Sequence, residues 1–345
     1  MTADDLDLIL QAYHSLFDLR PLLFFDEIQN IEGWEHFARR LANQKYNIYI
    51  TGSNAKMLSR EIATTLGGRF WNKDVYPYSF AEYLNARNII LSKNWIYGKQ
   101  AAEVSKAFND YFLYGGFPEL TDVIAKRVWL NDIYSKIFFS DLIVRNKVRN
   151  EEALGLLVRR LAENVKQPIS YTRLANLISS IGIKISKATV IEFIRYLKES
   201  CLIFPIENYA AKFAERNSNM KHYFIDNGLL SIFLLDGNTS LLENIVAIHL
   251  YKRYGAQLYF YNQNIEVDFI IPEAKTAIQV SYSLMDETTC RREVEGLIKL
   301  NRVFPMDNMC IITRDEERII THESGVSIHV IPVWKWLLEE EPLQT

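Results

Sequence analysis

Cysteine is scarce in this sequence, and long apolar runs are missing. The three cysteines, Cys201, Cys290 and Cys310, are far apart and odd in number. They exclude a disulfide framework and show no metal-ligand spacing, which suits a reducing cytoplasm, the expected location. No apolar run approaches the roughly twenty residues that cross a bilayer. The opening stretch, MTADDLDLIL, is acidic and amphipathic rather than a signal peptide, so no membrane partner is expected. Neither sign of charge dominates: a net charge of −3 excludes a global basic field, and contact with nucleic acid has to come from a local patch. The six histidines form no cluster in sequence. A phosphate loop of the form G-x-x-x-x-G-K-[ST] is also missing. The lone Gly-Lys, Gly98-Lys99, is followed by Gln100, and Lys93 stands where the first glycine belongs.

What is present is an ordinary globular composition, 49% hydrophobic and 23% charged, in a chain long enough for two or three domains. Leu6, Ile9, Leu10, Tyr13 and Phe17 recur at helical spacing, so a helix leads into Pro21. PLLFFDEIQ follows, in which an apolar strand, Leu22–Phe25, delivers Asp26 and Glu27 at its end. Residues 34–43 read as a second amphipathic helix and 47–51 as a second buried strand, which ends at Gly52-Ser53-Asn54. Residues 57–66 read as helix again, stopped by Gly67-Gly68. Alternating strand and helix implies parallel sheet, and sites in such sheets sit at the carboxyl ends of strands, where Asp26, Glu27, Ser53 and Asn54 fall.

From Phe80 to about residue 160 the pattern is helical and aromatic, broken at Gly115-Gly116 and Pro118. Tyr111, Phe112, Tyr114 and Phe117 read there as packing residues. Residues 171–180 and the stretch after Ser186 make two short helices around Gly182, the second capped by Ser186 and burying Val190, Phe193, Ile194 and Leu197. With the apolar run CLIF behind them, they predict a helix-turn-helix with a small wing. Six basic residues face two acidic ones between 165 and 200, and Lys184, Ser186, Lys187 and Thr189 gather at the start of the second helix, where phosphates and base edges are met. The same unit also serves as a protein-contact module. Beyond Leu241 come a helix, strands at 258–261, 267–271 and 277–280, another helix, and a strand at 309–313.

LLFFDEIQ, IYITGSN, GGRF, YPYSFAEYL and YFLYGGFPEL, in that order, resemble a family of prokaryotic AAA-type P-loop ATPases. In that family an ATPase domain is joined to a winged helix and a nuclease-like domain of unknown function. The resemblance implies an α/β multidomain chain: an incomplete AAA-type P-loop domain over 1–85, a helical region over 86–160, a winged helix over 161–225 and a small nuclease-like module over 226–345. It implies ATP and Mg²⁺ as cofactors, Asp26 as the Walker B carboxylate on Mg²⁺, and Glu27 orienting the attacking water. Ser53 or Asn54 would be the sensor, and Arg69 an arginine finger that requires self-association. Read without it, Asp26-Glu27 is also a strand end with an acidic cap, and Arg69 a surface residue. Two explanations account for the missing loop: a start codon inside a longer gene, the one expected, or an ATPase relic that no longer hydrolyses nucleotide.

Glu243 in LLENIVAIHL, Asp268 in EVDFII and the following IQVSY resemble the PD-(D/E)XK nuclease core, which implies Glu243 and Asp268 as metal ligands. The third strand gives Gln279-Val280-Ser281 where an acid and a lysine are needed, and Lys275 is the nearest lysine in sequence. Cleavage is therefore not expected, and both acids read as structural groups hydrogen-bonded inside the fold. The reading that emerges is an ATP-binding switch with a DNA- or protein-binding C-terminal half. A non-enzymatic binding module and a divergent metal-dependent nuclease stand as its alternatives.

Overall fold

The computed structural model describes residues 3–52, 64–68, 70–212, 216 and 218–339. The chain divides into two compact units, one formed by residues 1–75 with 197–201, the other by 76–196 with 202–345. Among the described residues no helix is long and apolar enough to cross a membrane.

In the first unit, α1 (Ala3–Leu16) is followed by β1 (Leu23–Phe25), α2 (Trp34–Asn43) and β2 (Ile48–Ile50). β1 and β2 pair in parallel, with Phe24 opposite Tyr49. Successive side chains of a strand point to opposite faces. Leu23, Phe25 and Ile48 accordingly turn inward onto Leu6, Phe37 and Leu41 from the two helices. Phe24 and Tyr49 turn outward and stack on each other at 4.9 Å between ring centroids.

The second unit begins with α3 (Phe80–Ala86). Its start is fixed by a capping box, in which the Ser79 hydroxyl accepts from the Glu82 N–H while the Glu82 carboxylate accepts from the Ser79 N–H. α4 (Gln100–Tyr114) packs its buried Phe108, Tyr111 and Phe112 near Phe80 and Tyr83, an aromatic core in which Phe80 and Phe108 meet edge to face. α5 (Lys126–Lys136) runs on into a π-helical stretch, Ile137–Val144, before α6 (Glu151–Glu163).

β3 (Ile169–Ser170), α7 (Tyr171–Ser179) and α8 (Lys187–Glu199) come next, and Gly182 between the helices takes a left-handed φ of 94°. β4 (Ile203–Asn208), β5 (Asn219–Phe224) and the short α9 (Asn227–Ser231) follow. The remainder is α10 (Asn238–Tyr254), β6 (Tyr259–Asn262), β7 (Glu266–Ile271), β8 (Thr276–Val280), α11 (Glu287–Val303), β9 (Asn308–Thr313), β10 (Arg318–Thr321), β11 (Ser327–Pro332) and α12 (Val333–Glu339).

Among the described residues the nine strands from β3 onward form one sheet, in the order β10-β11-β9-β8-β7-β6-β4-β5-β3. β6, β7 and β8 make an antiparallel meander, and β9 joins β8 in parallel after α11 crosses over. The sequence leaves two features of this sheet unforeseen. One is the β10–β11 hairpin that extends its edge. The other is the parallel join of β4 to β6 through only two residue pairs, Glu207–Tyr259 and Asn208–Phe260. The Asn208 amide reinforces that join, donating to the Asn262 carbonyl and accepting from the Asn262 N–H. β4 and β5, expected as a small wing, are thereby built into the same sheet as the C-terminal strands.

Candidate functional site

The described residues singled out in the sequence fall in three places, one in the first unit and two in the second. In the first unit Asp26 and Glu27 sit directly after β1, at its carboxyl end. The chain turns sharply there, with Glu27 in the left-handed region at φ 49°, and a short 3-10 turn over Ile28–Asn30 follows. Thr51, directly after the parallel β2, lies beside them: its hydroxyl donates to an Asp26 carboxylate oxygen and accepts from the Glu27 N–H at 3.4 Å. Gln29 donates its side-chain amide to Glu27. Asp26 stays exposed and Glu27 half-buried. A single exposed carboxylate beside a hydroxyl fits Mg²⁺, which takes one or two protein carboxylates and fills its remaining positions with water and substrate phosphates. Thr51, which the sequence places in the turn before Ser53 without a role of its own, is the group that orients Asp26. Ser53, Asn54 and Arg69 lie outside the described residues.

In the second unit a cleft of 1110 Å³ opens between the β6–β8 meander and α11, with Glu243, Asp268 and Gln279 in its lining. Glu243 comes from α10 and Asp268 from β7, and the structure brings them to one point. What lies between them was not anticipated. Lys221, on β5, places its ammonium 3.1 Å from Glu243 Oε1 and 3.0 Å from Asp268 Oδ1. Its side chain is 0% exposed. The Tyr223 hydroxyl, two residues along the same strand and so on the same face, donates to Glu243 Oε1 at 2.7 Å. Lys275, the nearest lysine in sequence, is not the nearest in space. Lys275 lies in the β7–β8 turn and pairs with Asp307, whereas the cation at the two acids arrives from a strand 47 residues before Asp268.

Two more polar groups of the site are tied to backbone. Asp268 Oδ2 accepts from the Val280 N–H at 3.0 Å. The Gln279 amide spans the backbone of β7, its oxygen accepting from the Asp268 N–H and its nitrogen donating to the Glu266 carbonyl. Gln279 thus holds β7 to β8. Burial opposes the charge on Lys221, but the carboxylates of Glu243 and Asp268 outweigh it and hold the ammonium above its ordinary pKa. Burial pushes the Glu243 carboxyl up to about 7, against the pull of Lys221. Among the described residues no three His, Cys, Asp or Glu side chains converge as a metal-ligand set.

At the start of α8, Ser186 caps the helix by accepting from the Thr189 N–H at 3.1 Å, and the two hydroxyls meet at 2.9 Å. Both hydroxyls are engaged in the cap, while the side chains of Lys184 and Lys187 flank it in solvent.

Comparison with known proteins places likenesses along the whole chain. Residues 1–84 match the AAA domain, and residues 105–240 match a domain of unknown function, DUF8612. The uncharacterized protein MJ1544 of Methanocaldococcus jannaschii is 34% identical over 97% of this chain and 78% of its own length. An uncharacterized protein of Haemophilus influenzae is 30% identical over 98% of this chain and 82% of its own. Among solved structures, the Walker-type ATPase PABY2304 of Pyrococcus abyssi aligns with 61% of this chain and 62% of its own at 14% identity, with a TM-score of 0.36.

Proposed function

This chain belongs to the family of the uncharacterized Methanocaldococcus jannaschii and Haemophilus influenzae proteins and carries an AAA domain over residues 1–84, and from that premise we propose that it is a Mg²⁺-ATP-binding switch of the AAA type. The observation that carries the reading is the pair Asp26-Glu27, held by Thr51 at the carboxyl end of a parallel strand inside the matched domain. A carboxylate so placed holds Mg²⁺ against nucleotide phosphates, and the neighbouring Glu27 orients water. Ser53 or Asn54 serves as the sensor and Arg69 as the finger. Mg²⁺ supplies charge neutralisation on the phosphates; Asp26 and Thr51 fix where it sits.

The C-terminal half is the part whose contacts the nucleotide controls. Its helix pair α7–α8, followed by the β4–β5 hairpin, supports a winged helix that meets DNA through Lys184 and Lys187, with Ser186 and Thr189 setting the helix start between them. The order α10, β6–β7–β8, α11, β9 supports a nuclease-like module. A surface for a protein partner is the second use of the same half.

The test is equilibrium binding of a fluorescent ATP analogue to the whole chain. Binding should require Mg²⁺ and weaken about tenfold or more in Asp26→Asn, a loss of roughly 1.4 kcal/mol or more. Binding is the readout because it reports on the Asp26 carboxylate directly, whatever the rate of hydrolysis. Equal binding by the wild type and Asp26→Asn would sink the assignment.

A further inference from the structure

The resemblance of the C-terminal module to metal-dependent nucleases implies a divalent cation between Glu243 and Asp268. The donor set does not fit one. A Mg²⁺ ion needs about six oxygens at about 2.0–2.1 Å in octahedral array. The two carboxylate oxygens that face each other across the site, Glu243 Oε1 and Asp268 Oδ1, are both hydrogen-bonded to the Lys221 ammonium, at 3.1 and 3.0 Å. An ion bridging these oxygens would stand where that nitrogen stands. Asp268 Oδ2 accepts from the Val280 N–H, and both ends of the Gln279 amide are tied to the β7 backbone, so neither is free to turn toward a metal.

Whether Lys221 could step aside decides the matter, because a surface lysine swings away from a carboxylate at little cost. Lys221 has no such route. It sits within β5, where it pairs with Ile206 of β4, and its whole side chain is sealed from solvent. The ring of Phe260 lies against the ammonium, with its centroid 5.6 Å from Nζ. Leaving the carboxylates would strand an ammonium in apolar surroundings and two carboxylates beside it, without bringing the ammonium to water.

We infer that the cleft is a metal-independent site, in which Lys221 is the resident cation and occupies the position between Glu243 and Asp268 that a divalent ion takes in metal-dependent phosphodiesterases. Mg²⁺ has no place between these carboxylates, and on the proposed function any Mg²⁺ dependence of this protein belongs to Asp26. Removing the ammonium turns the two acids into an open cation site.

Mn²⁺ titration of the full chain, followed by the electron paramagnetic resonance signal of free Mn²⁺, tests this. All variants carry Asp26→Asn, so that the other candidate metal position is silent. Parental protein and its Asp268→Asn derivative should bind Mn²⁺ alike, and Glu243→Gln should repeat the result. Lys221→Met, which keeps the aliphatic stem and removes the charge, should gain one site at least about tenfold tighter than any in the parent. Adding Asp268→Asn to Lys221→Met should abolish that site. Mn²⁺ binding in the parent that falls about tenfold on Asp268→Asn or Glu243→Gln would overturn the inference, and so would a folded Lys221→Met protein with no new site. If Lys221→Met does not fold, the comparison of the parent with its two carboxylate variants still decides. A failed ATP-binding test would leave this result untouched, because the titration contains no nucleotide and no Asp26 carboxylate.

Discussion

Asp226 offers the sharpest test of how the second unit is held together. It is buried, at 3% exposure, in the turn between β5 and α9. One carboxylate oxygen accepts from the Gly116 N–H at 2.7 Å, across 110 residues of sequence; the other accepts from Gly228 N–H at 2.8 Å and Leu229 N–H at 3.4 Å. A side chain on Gly115 would collide with this carboxylate and one on Gly116 with the Tyr78 carbonyl oxygen, which explains the glycine pair in YGGFPEL. Asp226→Ala leaves two well-aligned buried donors unsatisfied, at about 2 kcal/mol each, so a loss of about 4 kcal/mol is expected at pH 7.5. Asp226→Asn keeps one acceptor but turns an amide donor toward Gly116, for a loss of about 2 kcal/mol.

The pH dependence follows from burial, which pushes this carboxyl up to about 6 from an ordinary 3.8, against the three N–H donors that favour the anion. The folded state then binds the proton more tightly than the unfolded state. Wild-type stability therefore rises as pH falls through 6 toward 3.8, and the contribution is lost again above 6. Between pH 7.5 and 4.5 the gap between wild type and either variant should widen by about 2 kcal/mol. Urea unfolding at the two pH values measures it, and hydrogen exchange in the segments around Gly116 and Gly228 locates it. A cost below about 1 kcal/mol for Asp226→Ala, or a gap that narrows on acidification, would refute the reasoning.

Three further substitutions probe other joints. The Asn244 amide accepts from the Phe224 N–H and donates to the Phe224 carbonyl, imitating a neighbouring strand, so Asn244→Leu should cost about 3 kcal/mol in urea unfolding. A side chain at Gly228 would stand 2.1 Å from the Tyr114 carbonyl oxygen, so Gly228→Ala should cost about 3 kcal/mol, read as a lowered melting temperature. Ser79→Ala opens the capping box of α3 and should cost about 1 kcal/mol, with faster amide exchange confined to the first turn of that helix.

Local pattern carried much of this fold into view. Residues 34–43 announce α2 by their spacing, and the apolar runs around 267–271, 277–280 and 309–313 announce strands, because a strand buried on both faces has to be apolar. Asp26-Glu27 was legible for the same reason, as two charges at the end of such a run. The Thr51 hydroxyl beside Asp26 was not, since pairing β1 with β2 is a tertiary event. Lys221 was the hardest to see. A lysine in a strand ordinarily reads as solvent-facing, and only its setting, with Met220, Tyr223 and Phe224 around it, hints that the segment is buried. Its partners lie 22 and 47 residues away, on other elements, and no spacing rule connects them.

That separation has a consequence for how the chain is made. Lys221 leaves the ribosome 47 residues ahead of Asp268. At about 5–20 residues per second, roughly 2 to 10 seconds pass before the second counterion exists. Glu243, on α10, is made only 22 residues after Lys221 and balances its charge, so during that interval β5 can close on α10 with a neutral pair while one ammonium hydrogen still lacks the acceptor that β7 brings. The lysine thus meets its acceptors in two steps as the chain grows, the helix carboxylate first and the strand carboxylate second.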